Sequence, residues 1–242
     1  MLDRSENKMT ACEFAVICIG EIAKLLGKYS LFDDFPLSKA DAKKLFAWSG
    51  IDMGILIADT KDRGSMEILE REIKSAREAG VVALPIVIAE GDAAPDSPCL
   101  LVNPYDFKTE EQLCEFIYLA ISSVREIVDQ TGLVDLDISD FQKFVEGKGR
   151  LIFAYGESEQ GRQDAVKQAI EKASAKTSSS EPCELLMINV TGSEENMNMS
   201  EIVKTTEEIQ AALAGDQCSI IWGANVDDNL GDAVRVSIWM RR

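Results

Sequence analysis

The chain has 242 residues, with 25 Lys and Arg against 42 Asp and Glu, so its formal net charge is −17 at pH 7. It contains no histidine, which excludes Ser-His-Asp and Cys-His nucleophile pairs, histidine-ligated zinc and a histidine general base. Its 46% of apolar residues predicts a globular protein, and its negative charge argues against binding to nucleic acid or to an anionic membrane surface.

The cysteines and the apolar segments favour an intracellular protein. The six cysteines form no C-x-x-C pair, and several lie inside apolar runs, so we expect buried thiols. The apolar stretch 11–27 is interrupted by Glu13, Glu21 and Lys24, which argues against a signal peptide and a membrane span. We therefore expect a cytoplasmic protein with no direct membrane insertion.

The first half of the chain alternates short apolar runs with helical patterns. Continuous apolar runs are typical of strands that are buried on both faces of a parallel sheet. Strands are predicted at 14–20, 53–58, 81–89 and 99–102, and helices at 38–48 and 65–78. This alternation predicts an α/β domain with a shortened, Rossmann-like parallel sheet over residues 1–108.

A long helix is predicted in the middle of the chain, at 109–129. Apolar residues return there at steps of three and four, as on one face of an α-helix. Thr109 is placed to cap its start, and Gly132 follows its end. At 1.5 Å per residue such a helix is about 30 Å long, so we expect residues 109–131 to connect two domains.

The second half, residues 132–242, has a different order of elements. Helices are predicted at 139–146, 161–173 and 200–213, and strands at 151–155, 184–191, 219–224 and 233–240. The last two strands are joined by a turn at 227–232 in which Asn229 and Gly231 supply the backbone angles. Because no helix separates these strands, we expect an α+β domain with at least one antiparallel pair.

The segment IIWGANVDDNLGDAVRV at 220–236 resembles the C-terminal domain of FtsZ, the bacterial and archaeal homologue of tubulin. That domain reads roughly I-x-G-x-x-x-D-x-x-x-x-D-x-x-R-V. Three further matches follow the family's order: AIS at 120–122, GLVDLDISD at 132–140 and ELLMINVTG at 184–192. The resemblance covers about 116–240 and implies a divergent member of the FtsZ/tubulin superfamily, with a truncated nucleotide-binding-type domain, a central helix and an FtsZ-like α+β domain.

The resemblance assigns a role to an acidic loop. In the family, a loop N-x-D-x-x-D after the central helix reaches over the γ-phosphate of the next subunit's GTP and orients the attacking water. The matching residues are Asp135, Asp137 and Asp140, and they would be catalytic in trans if the chain were active. From the residues alone, these carboxylates equally suit the start of the following helix. An EF-hand-like calcium count from Asp135 to Glu146 is a third possibility, but Asp140 stands where that loop needs glycine.

The nucleotide-binding loops depart from the family pattern. FtsZ carries GGGTGTG after the strand that matches 53–58, because only glycine lets backbone amides approach phosphate so closely. Here 59–65 reads DTKDRGS, which also fits a solvated loop with Ser65 as the N-cap of the next helix. Gly20, Gly64 and Ser65 are the phosphate contacts that remain if GTP binds. We expect no cofactor and no metal site, with GTP and magnesium as the alternative.

The favoured function is that of a non-catalytic, FtsZ-like protein that modulates FtsZ-type filaments through its acidic loop. Its partner would be FtsZ or another FtsZ-like subunit, and a homo-oligomer is possible. If subunits stack as those of FtsZ do, Lys61 and Arg63 would take the place of the missing phosphates and cation. They would then face Asp137 and Asp140 of a neighbouring subunit. The alternative is a divergent GTPase that assembles in the manner of FtsZ. The sequence stops at Arg242, so we expect no acidic tail of the kind that recruits membrane tethers.

Overall fold

The computed structural model describes residues 12–35, 37–91, 94–129, 133–134, 136–177, 182–215 and 217–242. Its strands are β1 (Phe14–Ile19), β2 (Leu37–Lys39), β3 (Met53–Asp59), β4 (Val82–Ile88), β5 (Cys99–Val102), β6 (Arg150–Ser158), β7 (Leu185–Gly192), β8 (Ser219–Val226) and β9 (Val234–Arg241). Its α-helices are α1 (Ile22–Leu26), α2 (Ser65–Glu78), α3 (Glu110–Asp129), α4 (Ile138–Val145), α5 (Arg162–Ala175) and α6 (Met199–Leu213).

All of these strands belong to one mixed sheet, in the order β2-β1-β3-β4-β5-β6-β9-β7-β8. The strands pair in parallel except for β9, which is antiparallel to both β6 and β7. The two halves of the sheet meet where β5 pairs with β6 through Cys99↔Arg150 and Leu100↔Leu151. The predicted α/β class and the predicted antiparallel pairing are confirmed.

The last two strands are consecutive in the chain but are not neighbours in the sheet. The segment after β8 passes over β7 and delivers β9 between β6 and β7. In this connection Asp227 accepts a hydrogen bond from the backbone N–H of Asn229 at 3.0 Å. Gly231 has a φ of +57°, a region that favours glycine. The predicted turn is present, but it does not form a hairpin.

The helix predicted at 38–48 is wrong. Residues Leu37–Lys39 instead form β2, which pairs in parallel with β1, and the chain from residue 40 to 52 is irregular. Two side chains of α2 satisfy backbone groups in this segment. Arg71 donates hydrogen bonds to the carbonyl oxygens of Asp41 and Ala42, at 2.8 and 2.7 Å. The carboxylate of the buried Glu72 accepts from the N–H of Phe46 at 3.2 Å. These tertiary contacts replace the hydrogen bonds of a helix.

The predicted helices at 65–78 and 109–129 are confirmed as α2 and α3, whereas Gly132 lies outside the described residues. Helix α3 packs on one face of the sheet, against strands of both halves, so both halves share one core. Helix α2 covers the other face of the first half, and α5 and α6 cover that face of the second half. Within the described part of the chain, no helix is both long enough and apolar enough to span a membrane.

Candidate functional site

The predicted acidic residues lie at the start of α4. Asp137 is the N-cap, and its Oδ1 accepts hydrogen bonds from the backbone N–H groups of Ser139 and Asp140 at 2.8 and 3.0 Å. The Ser139 hydroxyl donates to the same oxygen at 2.6 Å. These donors, with the Ser139 hydroxyl as the largest contribution, hold the pKa of Asp137 below its ordinary value. The capping interpretation is therefore confirmed for Asp137, whose side chain is exposed and stays ionised.

Asp140 lies one turn further along α4 and is half-buried. Its Oδ1 is 3.1 Å from the Nζ of Lys143, on the same helix. Asp135 lies outside the described residues. The calcium alternative is wrong, because the chain is helical from Ile138, where an EF-hand loop would have to wrap around the ion.

The segment that leads to Asp137 is attached to strand β8. The Leu133 N–H donates to the carbonyl oxygen of Ala224 at 2.7 Å, and the Ala224 N–H donates to Val134 at 3.1 Å. The buried side chain of Leu136 then packs over Gly223, where a Cβ atom would be only 3.0 Å from Leu136. Thus the glycine of the IIWG segment makes room for the start of the acidic loop.

A buried polar network ties the end of α3 to strand β9, and the sequence did not predict it. The Nη1 of Arg235 is 2.6 Å from Glu126 on α3, and its Nε is 2.7 Å from Glu157 on β6. The Thr191 hydroxyl donates to Glu126 at 3.2 Å, and the Asn225 amide donates to the Glu126 carbonyl oxygen at 2.6 Å. The one feature of the sequence that indicated this network was the carboxylate of Glu126, which lies beside the apolar stripe of the central helix. The network fixes the helix end from which the acidic loop leaves.

The matching nucleotide face would lie at the carboxyl ends of β1 and β3, where parallel sheets bind ligands. Gly20 has a φ of +83°, and a Cβ atom there would overlap the carboxylate of Asp62. The Oδ2 of Asp62 accepts a hydrogen bond from the backbone N–H of Glu21 at 2.5 Å. The Asp62 carboxylate, from the loop after β3, therefore fills the space beside the loop after β1.

The other predicted residues of this face are engaged within the chain. The N-cap of α2 is Gly64, with a φ of +84°, so the prediction that Ser65 caps this helix is wrong. The buried Ser65 hydroxyl instead donates to the carbonyl oxygen of Asp59 at 2.7 Å. Lys61 is paired with Glu90, at an Nζ to Oε1 distance of 3.2 Å. The structure thus brings Gly20, Gly64 and Ser65 to one edge of the sheet, where the Asp62 carboxylate lies against Gly20 and the Asp59 backbone engages the Ser65 hydroxyl.

The cleft beside these loops is small. Its volume is about 260 Å³, and its lining includes Asp59, Lys61, Thr109, Glu110 and Leu113. Small-molecule sites usually enclose roughly 300–1,000 Å³. This cleft is smaller, and its two carboxylates, Asp59 and Glu110, are balanced by Lys61 and Lys108, so its lining has no excess of positive charge to attract phosphate.

Residues 147–241 match the model of the FtsZ family, C-terminal domain. The chain is 29% identical over 126 residues to the cell division protein FtsZ of Methanothermobacter thermautotrophicus, a match that covers 51% of this chain and 32% of the relative. It is 28% identical over 155 residues to the cell division protein FtsZ of Haloferax mediterranei, covering 63% of this chain and 40% of the relative. The matched region thus spans less than half the length of these relatives.

Solved structures share the fold. An empty FtsZ dimer from M. jannaschii superposes with a TM-score of 0.73 at 14% identity, covering 97% of this chain and 89% of that one. CetZ from Methanosaeta thermophila superposes with a TM-score of 0.68 at 12% identity, covering 94% and 86%. The segments that resemble FtsZ, the matching family model and the shared fold together make the chain a member of the FtsZ/tubulin superfamily.

Proposed function

We propose that the chain is a non-catalytic, FtsZ-like interaction protein that docks its acidic face onto the nucleotide face of FtsZ or of another FtsZ-like subunit. The acidic face consists of Asp137 and Asp140 on the first turn of α4. A subunit of this kind offers its own altered nucleotide face to the next subunit, so it would cap or modulate a filament rather than extend it.

The position of the Asp62 carboxylate is the observation that carries this proposal. It accepts the N–H of Glu21, in the loop where the family places the phosphates of GTP. A bound phosphate would have to displace this carboxylate or lie against it, and two anions in contact repel strongly at a partly desolvated edge. The loss of the family's glycines acts in the same direction, since side chains block the backbone amides.

The acidic face supports the docking half of the proposal. The Asp137 carboxylate is exposed, ionised and fixed by the helix that it caps. A fixed anion is suited to a cationic or metal-bearing partner surface because little side-chain entropy is lost on binding.

A divergent GTPase that self-assembles is the second candidate. The solved relatives include a CetZ2 protofilament from Haloferax volcanii with bound GTPγS, and the fold resemblance extends to that protein with a TM-score of 0.61. In this case Asp137 and Asp140 would position water in trans, and Gly20, Gly64 and Ser65 would contact phosphate after Asp62 had moved away.

Calorimetric titration of the full chain with GTP and magnesium separates the two candidates. Saturable binding in the micromolar range would refute the non-catalytic proposal. Without such binding, the chain is mixed with FtsZ from the same organism, and the GTPase rate and the pelleted fraction are measured over a range of ratios. The proposal expects both to fall as the ratio rises, and no change in either would refute docking.

The acidic face is tested with charge-only substitutions. Asp137→Asn keeps an oxygen that can cap α4 but removes the charge, and Asp140→Asn removes the second charge of the same turn. We expect the double variant to lose its effect on FtsZ. The matched control is Glu207→Gln, which removes one exposed carboxylate from α6 on the other side of the sheet. Equal activity of the double variant and the control would exclude the acidic face as the docking surface.

A further inference from the structure

A second cleft lies between the start of α3, strand β6 and the end of α5. It shares no lining residue with the acidic face, and it shares Phe107 with the cleft beside the nucleotide loops. Its main part has a volume of about 380 Å³. A smaller part of about 180 Å³ continues toward the end of β5 and shares the side chains of Phe107, Phe116 and Lys176. The combined cleft is lined by three aromatic rings and three cations: Phe107, Phe116, Tyr155, Arg150, Lys172 and Lys176.

The two lysines of this cleft lie over aromatic rings. The Nζ of Lys172 is 4.0 Å from the ring centroid of Tyr155, and the Nζ of Lys176 is 4.0 Å from that of Phe116. Lys176 also donates to the carbonyl oxygen of Phe153 at 3.0 Å. An ammonium group has three donors, so each lysine keeps hydrogen-bonding capacity for a further partner.

These cations have no ion-pair partner in the described part of the chain. Asp106 and Glu115 also line the main part of the cleft. Neither carboxylate is within the 4.0 Å of an ion pair with Lys172 or Lys176, although other lysines of the same chain form such pairs. Three cations thus converge in one cleft of a protein whose net charge is −17.

Desolvation raises the free-energy cost of leaving an ammonium group without an anionic partner. It lowers the pKa of Lys176 to about 8, and the nearby charge of Asp106 opposes this effect only in part. Partial desolvation also lowers the pKa of Lys172, whose residue is exposed overall, against the opposing charges of Glu115 and Glu157. A desolvated ammonium group gains more from an anion than an exposed one does.

We propose that this cleft binds a small organic anion that joins a planar ring to a carboxylate or phosphate group. The ring would lie against Phe107 and Tyr155, and the anionic group would accept hydrogen bonds from Lys172, Lys176 and Arg150. The site is independent of the proposed docking to FtsZ, since it shares no residue with the acidic face.

Pyridoxal 5′-phosphate tests the proposal, because it has a planar ring, a phosphate and an aldehyde that reacts with neutral amines. The aldehyde condenses with the lysine nitrogen and releases water, and added borohydride then delivers hydride to the imine carbon to give a stable secondary amine. The full chain is labelled at pH 8, and the modified lysines are located by peptide mass spectrometry. We expect Lys176 to react before the exposed Lys167 of the same helix.

Competition separates anion binding from simple reactivity. Pyridoxine 5′-phosphate carries an alcohol in place of the aldehyde and should protect Lys176 at saturation, whereas pyridoxine, which lacks the phosphate, should not. Lys172→Ala or Arg150→Ala should raise the protecting concentration about tenfold, the usual effect of one lost charge-assisted hydrogen bond. Lys167→Ala is the control and should leave that concentration unchanged.

Three results would overturn the proposal. They are labelling of Lys176 no faster than that of Lys167, equal protection by pyridoxine and its phosphate, and unchanged protection in both the Lys172 and Arg150 variants. GTP also joins a planar ring to phosphate, so its calorimetric titration is repeated with Lys172→Ala and Arg150→Ala. Binding that these variants weaken belongs to this cleft, whereas binding that they leave unchanged belongs to the nucleotide face. Pelleting with FtsZ tests the acidic face, so either proposal can fail without the other.

Discussion

Replacing Arg235 tests the network that joins the central helix to the second half of the sheet. Arg235→Met keeps an unbranched apolar side chain but removes the guanidinium that contacts Glu126 and Glu157. Glu126 is only 9% exposed, and after the substitution its described side-chain partner is the Thr191 hydroxyl. The variant therefore leaves a carboxylate buried without a cation.

The expected cost is about 3–5 kcal/mol of unfolding free energy at pH 8, as is usual when one partner of a buried ion pair is removed. Glu157 contributes little to this cost, because its side chain is 39% exposed and water replaces its lost partner. Urea unfolding of the variant and the parent chain, followed by tryptophan fluorescence, measures the difference.

The cost should also depend on pH. Burial raises the pKa of Glu126, and Arg235 partly opposes that rise, so the pKa of Glu126 is higher still in Arg235→Met. A carboxyl group whose pKa is higher in the folded than in the unfolded state contributes its full stabilisation below the unfolded-state pKa. That stabilisation is lost as the pH rises through the folded-state pKa. The deficit of the variant should therefore be largest at pH 8 and shrink as the pH falls through the raised pKa of Glu126.

A double variant provides the control. Glu126→Gln in the Arg235→Met background removes the buried charge and should recover part of the lost stability at pH 8. The reasoning would be refuted by a deficit below about 1 kcal/mol at pH 8, by a deficit that does not change with pH, or by a double variant less stable than Arg235→Met alone.

Three further predictions concern a helix cap, a close contact and a thiol pair. Asp137→Ala should destabilise the chain by about 1 kcal/mol through the lost cap, whereas Asp137→Asn should cost clearly less, as measured by urea unfolding. Gly156→Ala should cost about 3 kcal/mol or prevent folding, because its Cβ would overlap the carbonyl oxygen of Ala165 on α5; circular dichroism at rising temperature measures the loss. The Sγ atoms of Cys183 and Cys218 are 3.0 Å apart, so diamide should oxidise both thiols to one disulfide while it takes up the two hydrogens. Burial raises the pKa of both thiols, so the rate of this oxidation should rise with pH. The intact mass of the chain should fall by two hydrogens, whereas the mass of a Cys183→Ser variant should stay the same.

The sequence predicted those parts of the fold that follow from local patterns. The apolar runs of β1, β3 and β4 are continuous because both faces of these strands are covered. The 20-residue α3 shows its buried stripe as a repeat of three and four positions. The cap by Asp137 also follows from local chemistry, since the donors are two and three residues away.

The misplaced and missed features depend on residues that are distant in the chain. The segment after β2 has no helix, because Arg71 and Glu72 on α2 bind its backbone from about 30 residues away. The pair of Glu126 and Arg235 joins positions 109 residues apart. A single sequence gives the polarity of such residues but not their partners, so the network could be recognised only in three dimensions.

The loop at 59–65 illustrates the same limit for Asp62, the residue on which the proposed function rests. The sequence showed that aspartates had entered the loop at 59–65, and their charge alone argued against phosphate. It did not show that Asp62 accepts the N–H of Glu21, 41 residues earlier. The Asp62 carboxylate belongs to the loop after β3 but occupies space beside the loop after β1. The two altered loops are therefore joined by one hydrogen bond and form a single structural feature.

The positions of the acids also bear on the choice between self-assembly and docking to a different subunit. In a head-to-tail stack of identical copies, the acidic face of one copy would meet an edge that already contains Asp62, Glu21 and Glu90. Glu90 is paired with Lys61, and Glu21 is paired with Lys24 and Lys39. Asp62 would therefore be the main acid that faces the neighbour's carboxylates, beside the exposed Arg63 of the same loop. Carboxylates facing carboxylates across a contact repel within a Debye length of about 8 Å at physiological salt. A partner that brings a bound cation, or basic side chains free of their own acids, meets no such repulsion. Under the proposed function the partner is therefore a subunit of that kind rather than a second copy, and filament growth would stop at the altered nucleotide face.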